Sequence, residues 1–184
     1  MREAMAAAAV LPFQLHVAVP GEEEVLLHLL DDAVRWLTSR GNTGQWGTRP
    51  FSTNERRILD ARRWVASGGA MIAVLDDEPV GGLVLGEAPD YVDPAQGPEV
   101  YIVLLVGTSR VGARGVGRVL LDVAELAARR LSVARIRVDC FAGNDGALVR
   151  YYESAGFVPT SSFVVGNWPG QVLERQVAPL DGPH

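Results

Sequence analysis

From Val100 to Val106 the chain carries no charge and a single polar side chain, the phenol of Tyr101. Such a stretch reads as a central strand covered on both faces of its sheet. A short way on, Val111-Gly112-Ala113-Arg114-Gly115-Val116-Gly117-Arg118-Val119-Leu120-Leu121 begins rich in glycine and then turns apolar at the spacing of an amphipathic helix. A buried strand, a glycine turn and a helix in that order require a sheet with a helix packed on its face. The glycines let backbone N–H groups crowd toward an anion at the helix N-terminus. Two familiar phosphate loops do not fit. A P-loop needs Lys and then Ser or Thr after Gly117, where Arg118 and Val119 stand. A dinucleotide fingerprint starting at Gly115 needs its third glycine at Leu120, and Asp139 only approaches the expected acidic position.

Around this unit the periodicity defines the remaining elements. Phe13 to Val19 alternates as a first strand, and Glu22, Glu23 and Glu24 open a helix that Gly41 stops. Residues 42–51 hold Gly44, Gly47 and Pro50 and read as a loop. Thr53 is the expected N-cap of a second helix reaching about Ser67, with Arg56 at the capping-box position. Ala70–Leu75 and Val80–Leu85 form two strands about a turn at residues 76–79, with Gly81-Gly82 marking a bulge or a close backbone approach. A loop with three prolines fills Glu87 to Pro98. After the long helix, about Gly115 to Arg130, come a strand at Ala134–Phe141, a short helix at Asn144–Ala155, and strands near Phe157–Val165 and Val172–Val177. The order β-α-α-β-β-β-α-β-α-β-β predicts an α/β (α+β) mixed sheet with helices on both faces.

Composition bounds the partners. A chain of 184 residues, 48% hydrophobic and 21% charged, is expected to form one globular domain, here residues 13–178. Residues 1–12 read as a flexible, alanine-rich leader, within which Met5 is an alternative start, and 179–184 as a tail. The net charge of −5 gives no basic footprint, so no nucleic-acid partner is expected. No apolar run reaches the roughly 18 residues of a transmembrane helix, and a cytoplasmic protein without a membrane partner is expected. The lone Cys140 permits no internal disulfide, and no metal framework is visible.

The glycine segment resembles motif A of the GCN5-related N-acetyltransferases, with Gly115 and Gly117 at its two small positions. Asn144-Asp145-Gly146-Ala147 through Tyr151-Tyr152-Glu153-Ser154-Ala155-Gly156-Phe157 resembles motif B, which has an Asn at the helix start and an aromatic four residues before a Gly-Phe pair. The likeness is strongest from Val100 to Phe157, and the Trp36-Leu37 and Gln45-Trp46 region resembles a common bacterial branch. It departs at Gly112, where the motif has Arg or Gln.

The resemblance implies a mostly antiparallel sheet of about seven strands, splayed between the fourth and fifth, and acetyl-CoA as co-substrate. The pantetheine arm would pair with Leu105, Val106 and Gly107, and Gly112, Ala113, Arg114, Gly115, Val116, Gly117 and Arg118 would cradle the pyrophosphate. Tyr152 falls on the family's general acid; the alternative is packing against the cofactor. Asn144 would order the cofactor or cap its helix. The family's usual Glu on the central strand is Tyr101 here, so Glu99, on the same strand face, is the candidate base acting through a water; the alternative is a solvated loop residue. Gln45, Trp46 and Tyr101 are acceptor-pocket candidates. The implied activity is direct acetyl transfer to a small-molecule or protein amine, with an acyl-CoA-binding regulatory or assembly domain without turnover as the alternative. A homodimer through the last strands is compatible with the resemblance.

Overall fold

A computed structural model describes residues 13–110 and 112–178. The leader at 1–12, the tail at 179–184 and Val111 lie outside the described residues. Seven strands form one sheet in the order β1-β2-β3-β4-β5-β7-β6. They are β1 (Gln14–Val17), β2 (Ala70–Leu75), β3 (Glu78–Gly86), β4 (Val100–Gly107), β5 (Arg135–Phe141), β6 (Val158–Val165) and β7 (Trp168–Gln176). Every neighbouring pair is antiparallel except β4 with β5. Helices α1 (Glu23–Ser39) and α2 (Glu55–Ala66) cover one face, and α3 (Val116–Arg130) and α4 (Ala147–Glu153) the other.

The two layers meet β3 through its paired glycines. A Cβ on Gly82 would stand 2.7 Å from Leu26 of α1, and one on Gly81 would stand 2.9 Å from Val116 of α3. Successive strand residues face opposite ways, so adjacent glycines admit a helix closely on each side. The expected alternatives at this pair both occur, since a register shift at Ala73/Val74 also lies opposite it. Asp76 and Asp77 make the β2–β3 turn with both φ angles positive, at 52° and 61°, a two-residue hairpin that ends before Glu78 rather than at Pro79.

Two features of β4 shape the site. Its register against β3 slips so that Val84 pairs with Leu104 but Leu85 with Ile102, leaving Val103 as an extra residue. Val103 and Leu104 both pack toward the α1–α2 layer, and Leu105 is thereby turned to the α3–α4 face. Pairing with β5 covers only Val100, Tyr101 and Ile102, opposite Ile136, Arg137 and Val138. Past Ile102 the two strands part, as the expected splay requires.

Three local expectations are corrected. Thr53 does not cap α2. It closes a 3-10 turn at Phe51–Thr53, its hydroxyl donating to the Pro50 carbonyl at 2.9 Å, and Asn54 is the cap, accepting from the Arg57 N–H at 3.2 Å. The delay comes from Asp31 on α1, whose buried carboxylate accepts the N–H groups of Phe51 and Ser52 and the Ser52 hydroxyl at 2.6, 3.2 and 2.6 Å. Asn144 does not cap α4 either. Asn144 and Asp145 both have positive φ, at 53° and 54°, so a left-handed turn, closed by the Gly146 N–H donating to the Gly143 carbonyl at 3.1 Å, precedes the helix and Gly146 is its N-cap. Finally, β7 begins at Trp168 because it closes a hairpin with β6, where Val165 pairs with Trp168.

Candidate active site

Where β4 leaves β5, a cavity of about 280 Å³ opens on the α3–α4 face. The end of β4 contributes Leu105, Gly107 and Thr108, the glycine turn contributes Ala113 through Arg118, and α4 contributes Leu148, Tyr151 and Tyr152. The turn folds tightly. Ala113 N–H donates to the Arg110 carbonyl at 3.1 Å, and Val116 N–H to the Ala113 carbonyl at 3.2 Å. Gly115 then enters α3 with φ at +92° and no side-chain cap, so the positive end of a fifteen-residue helix faces the cavity. Gly117 has a separate reason to be glycine: a Cβ there would meet the Tyr151 hydroxyl at 2.4 Å.

Gly112 has φ at +90°, and a Cβ on it would find only an ordinary contact, 3.5 Å from Leu75. What excludes a side chain there is thus backbone conformation rather than space. The cavity's side-chain cations are Arg114 and Arg118. Arg118 lies over the Tyr151 ring at 5.5 Å and donates to the Ser154 hydroxyl at 2.6 Å.

Tyr152 is almost fully buried, its ring edge-on to Tyr151 and Phe157. Burial, reinforced by Cys140, Tyr151 and Asp139, holds its hydroxyl well above the ordinary phenol range, so it is a neutral donor at any physiological pH. Tyr151 is raised by burial and pulled back by Arg118. Cys140 is also closed off, its thiol pushed up to about 12 by burial and the neighbouring Asp139.

The opposite sheet face carries two diagonal pairs across β4 and β5. Arg137 is 5% exposed, donates to both Glu99 carboxylate oxygens at 3.4 and 3.2 Å, and reaches the Asp93 carbonyl at 2.8 Å. Glu99 is thereby held to the proline-rich loop. One step along, the Tyr101 hydroxyl donates to Asp139 at 2.5 Å and the Tyr91 hydroxyl approaches the other oxygen at 3.4 Å. Burial lifts the Asp139 carboxyl above its ordinary range, although both tyrosine hydrogen bonds act the other way. Tyr91 is pushed up to about 12 by burial and Asp139, and Tyr101 is raised for the same reasons.

The sequence model of the Acetyltransferase (GNAT) family matches residues 29–157. The chain belongs to that family. Members use acetyl-CoA as co-substrate, and the GNAT fold is repeated in solved structures at low identity. A GNAT-family acetyltransferase from Listeria monocytogenes superposes with a TM-score of 0.69 at 18% identity, covering 90% of this chain and 95% of that one. Ard1 from Thermoplasma volcanium gives 0.65 at 18% identity, over 91% and 99%. PaiA N-acetyltransferase from Thermoplasma acidophilum, solved in complex with coenzyme A, gives 0.61 at 13% identity, over 89% and 98%. At such identities the likeness concerns the fold. No curated protein matches the chain in sequence.

The residues of this GNAT domain fit the co-substrate. An edge of β4 has no strand partner past Ile102, an uncapped helix terminus lies beside it, and two arginines line the cavity between them. Of the residues singled out from sequence, Leu105, Gly107, Ala113–Arg118 and Tyr152 meet at the cavity. Val106 packs instead against the α1–α2 layer, and Gly112 and Asn144 stand outside the lining. Gln45 and Trp46 lie on the opposite face: the Gln45 carbonyl accepts from the Trp168 indole at 2.8 Å, and Trp46 stands edge-on to Phe51. The sequence marks out no role for Thr108, Leu148 or Tyr151, although all three form cavity wall. The contact between Gly117 and Tyr151 had no local signal, because the two residues meet only after α4 docks beside the turn.

Among the described residues, no helix is long and apolar enough to cross a membrane, and no group of three or more His, Cys, Asp or Glu could hold a metal ion.

Proposed function

We propose that this acetyltransferase moves the acetyl group of acetyl-CoA directly to a primary amine, of a small molecule or a protein, in a ternary complex. The observation that carries the reading is the unpaired end of β4, which meets both the uncapped N-terminus of α3 and Tyr152 in one cavity. The Gly115–Arg118 turn would hold the pyrophosphate through backbone N–H groups, with Arg114 and Arg118 adding charge. When bound, the co-substrate supplies a thioester whose carbonyl carbon is the electrophile and whose sulfur is the leaving group.

Backbone N–H groups near Leu105 and Val106 would polarise that carbonyl as charge develops on its oxygen. Tyr152 would protonate the departing sulfur, and burial suits it to the task by keeping its own proton in place until the leaving group forms. Cys140 offers no covalent route, since a buried thiol pushed up to about 12 carries almost no thiolate at neutral pH.

The test is thermal unfolding with acetyl-CoA, coenzyme A, ATP and NAD in turn. A ligand that binds only the folded state stabilises it by about 2.7 kcal/mol at a hundredfold excess over its dissociation constant. A raised midpoint with acetyl-CoA and coenzyme A alone is the expected result, and none at millimolar acetyl-CoA overturns the reading. One observation favours a binding domain without turnover: Tyr101 stands where the family usually has a catalytic Glu. Acetyl transfer to a panel of amines, lost in Tyr152→Phe, separates the two.

A further inference from the structure

The geometry points to Asp139 as the group that receives the acceptor's ammonium and takes its proton, within an aromatic site that favours a primary amine carried on an apolar, ring-sized body. This rests on the acetyltransferase reading and adds the acceptor side to it.

Position is the first argument. Val138 is the last β5 residue paired with β4, so Asp139 stands where the strands begin to part. Alternation along β5 puts Cys140 in the α3–α4 core with Tyr152, and Asp139 on the other face. Donor and acceptor carboxylate thus flank the splay from opposite sides, near enough for the charge of Asp139 to bear on the Tyr152 hydroxyl. Direct transfer between two bound substrates needs this disposition: a proton removed from nitrogen on one side, and one delivered to sulfur on the other.

The second argument is the setting. Asp139 is partly exposed and has no cationic partner among the described residues. Glu99, by contrast, is already paired with Arg137. Four rings line the same face in sequence, Tyr91 to Phe163 at 5.1 Å, Phe163 to Trp168 at 6.0 Å and Trp168 to Phe141 at 5.6 Å. They are brought together by glycines: a Cβ on Gly170 would meet Phe163 at 2.2 Å, and one on Gly143 would meet Phe141 at 2.2 Å. Aromatic faces beside a carboxylate attract an ammonium and shelter the apolar chain behind it.

The groups facing Asp139 are few. Tyr101 comes from β4 and Tyr91 from the β3–β4 connection, Arg137 is on its own strand, and Tyr152 of α4 and Cys140 lie across the sheet on the other face. Arg57 of α2 acts on Tyr91, and β7 presents the uncharged Val172. Tyr101 is a positioning residue that holds the carboxylate by its hydrogen bond.

In the step, Asp139 takes one ammonium proton, and the amine nitrogen forms its bond to the acyl carbon as the C–S bond breaks. Tyr152 gives its proton to the sulfur. The nitrogen's second proton returns to Tyr152 through water and Asp139 releases its own to solvent, so one proton leaves per acetyl transferred.

The test compares Asp139→Asn, Tyr101→Phe and Phe163→Ala with the parent protein, using phenethylamine and ethylamine as probes and the coenzyme A shift of the unfolding midpoint as control. Asp139→Asn is expected to keep the coenzyme A shift and to lose about a hundredfold in kcat/KM at neutral pH. Its rate should then climb about tenfold per pH unit toward the amine's own pKa, near 10 for an alkyl ammonium. The parent's rate should instead fall only as pH drops through a value above the ordinary carboxyl range. Tyr101→Phe, having lost a hydrogen bond to the charged form, should move that limb to higher pH. The parent should prefer phenethylamine to ethylamine, and Phe163→Ala should narrow the preference.

With the coenzyme A shift intact, an unchanged rate and pH profile in Asp139→Asn overturns this inference alone. So does an equal loss at every pH, no preference between the amines, or transfer to neither. Absence of any coenzyme A shift in the parent protein overturns the acetyltransferase reading and this inference with it.

Discussion

Tyr152 and Gly112 show how differently a single residue's environment can act. Tyr152 is packed by its ring, and its hydroxyl is the proton donor proposed above. Tyr152→Phe keeps the contacts with Tyr151 and Phe157, so the coenzyme A shift should survive while kcat falls by about 10²–10³ through loss of the proton donor. Gly112 is governed by its backbone. An L side chain at φ +90° is strained, so Gly112→Arg, which would restore the family's motif, should lower stability in urea by about 1–2 kcal/mol. A stability equal to the parent's would show that the turn relaxes to accept the side chain. Tyr152 was readable from its spacing to Gly156-Phe157. The conformation of Gly112 was not, because a glycine's identity does not report the sign of its φ.

Among the elements, α1 and α2 were expected at nearly their observed lengths, since each carries an apolar stripe of helical period. Their connection was misread at Thr53 because Asp31 decides it from twenty residues away. That buried carboxylate takes two backbone N–H groups and a hydroxyl, and it fixes the loop that brings Gln45 against Trp168. Asp31→Ala would leave those N–H groups without an acceptor in a buried setting, and a loss of about 2–3 kcal/mol is expected in chemical denaturation. Asp31→Asn, which retains a carbonyl oxygen, should lose less. Equal losses in the two variants would show that charge rather than hydrogen bonding is what matters there.

Across the whole molecule, the β1–β4 and β5–β7 portions of the sheet share only three paired residues on each strand of the β4–β5 seam. A ligand lying along the open part of that seam would touch β4, the α3 turn and α4 together, which is why acetyl-CoA is expected to raise the unfolding midpoint of the domain as one unit. The order of strands and helices, the glycine turn before α3 and the aromatic ahead of Gly156 were all determined by sequence alone, because each is a pattern among near neighbours. Tertiary structure decided the extra residue at Val103 that turns Leu105 toward the cavity, the pairing of Tyr101 with Asp139, and the engagement of Glu99 by Arg137. Those depend on register between strands far apart in the chain, and a shift of one residue would send every side chain to the other face.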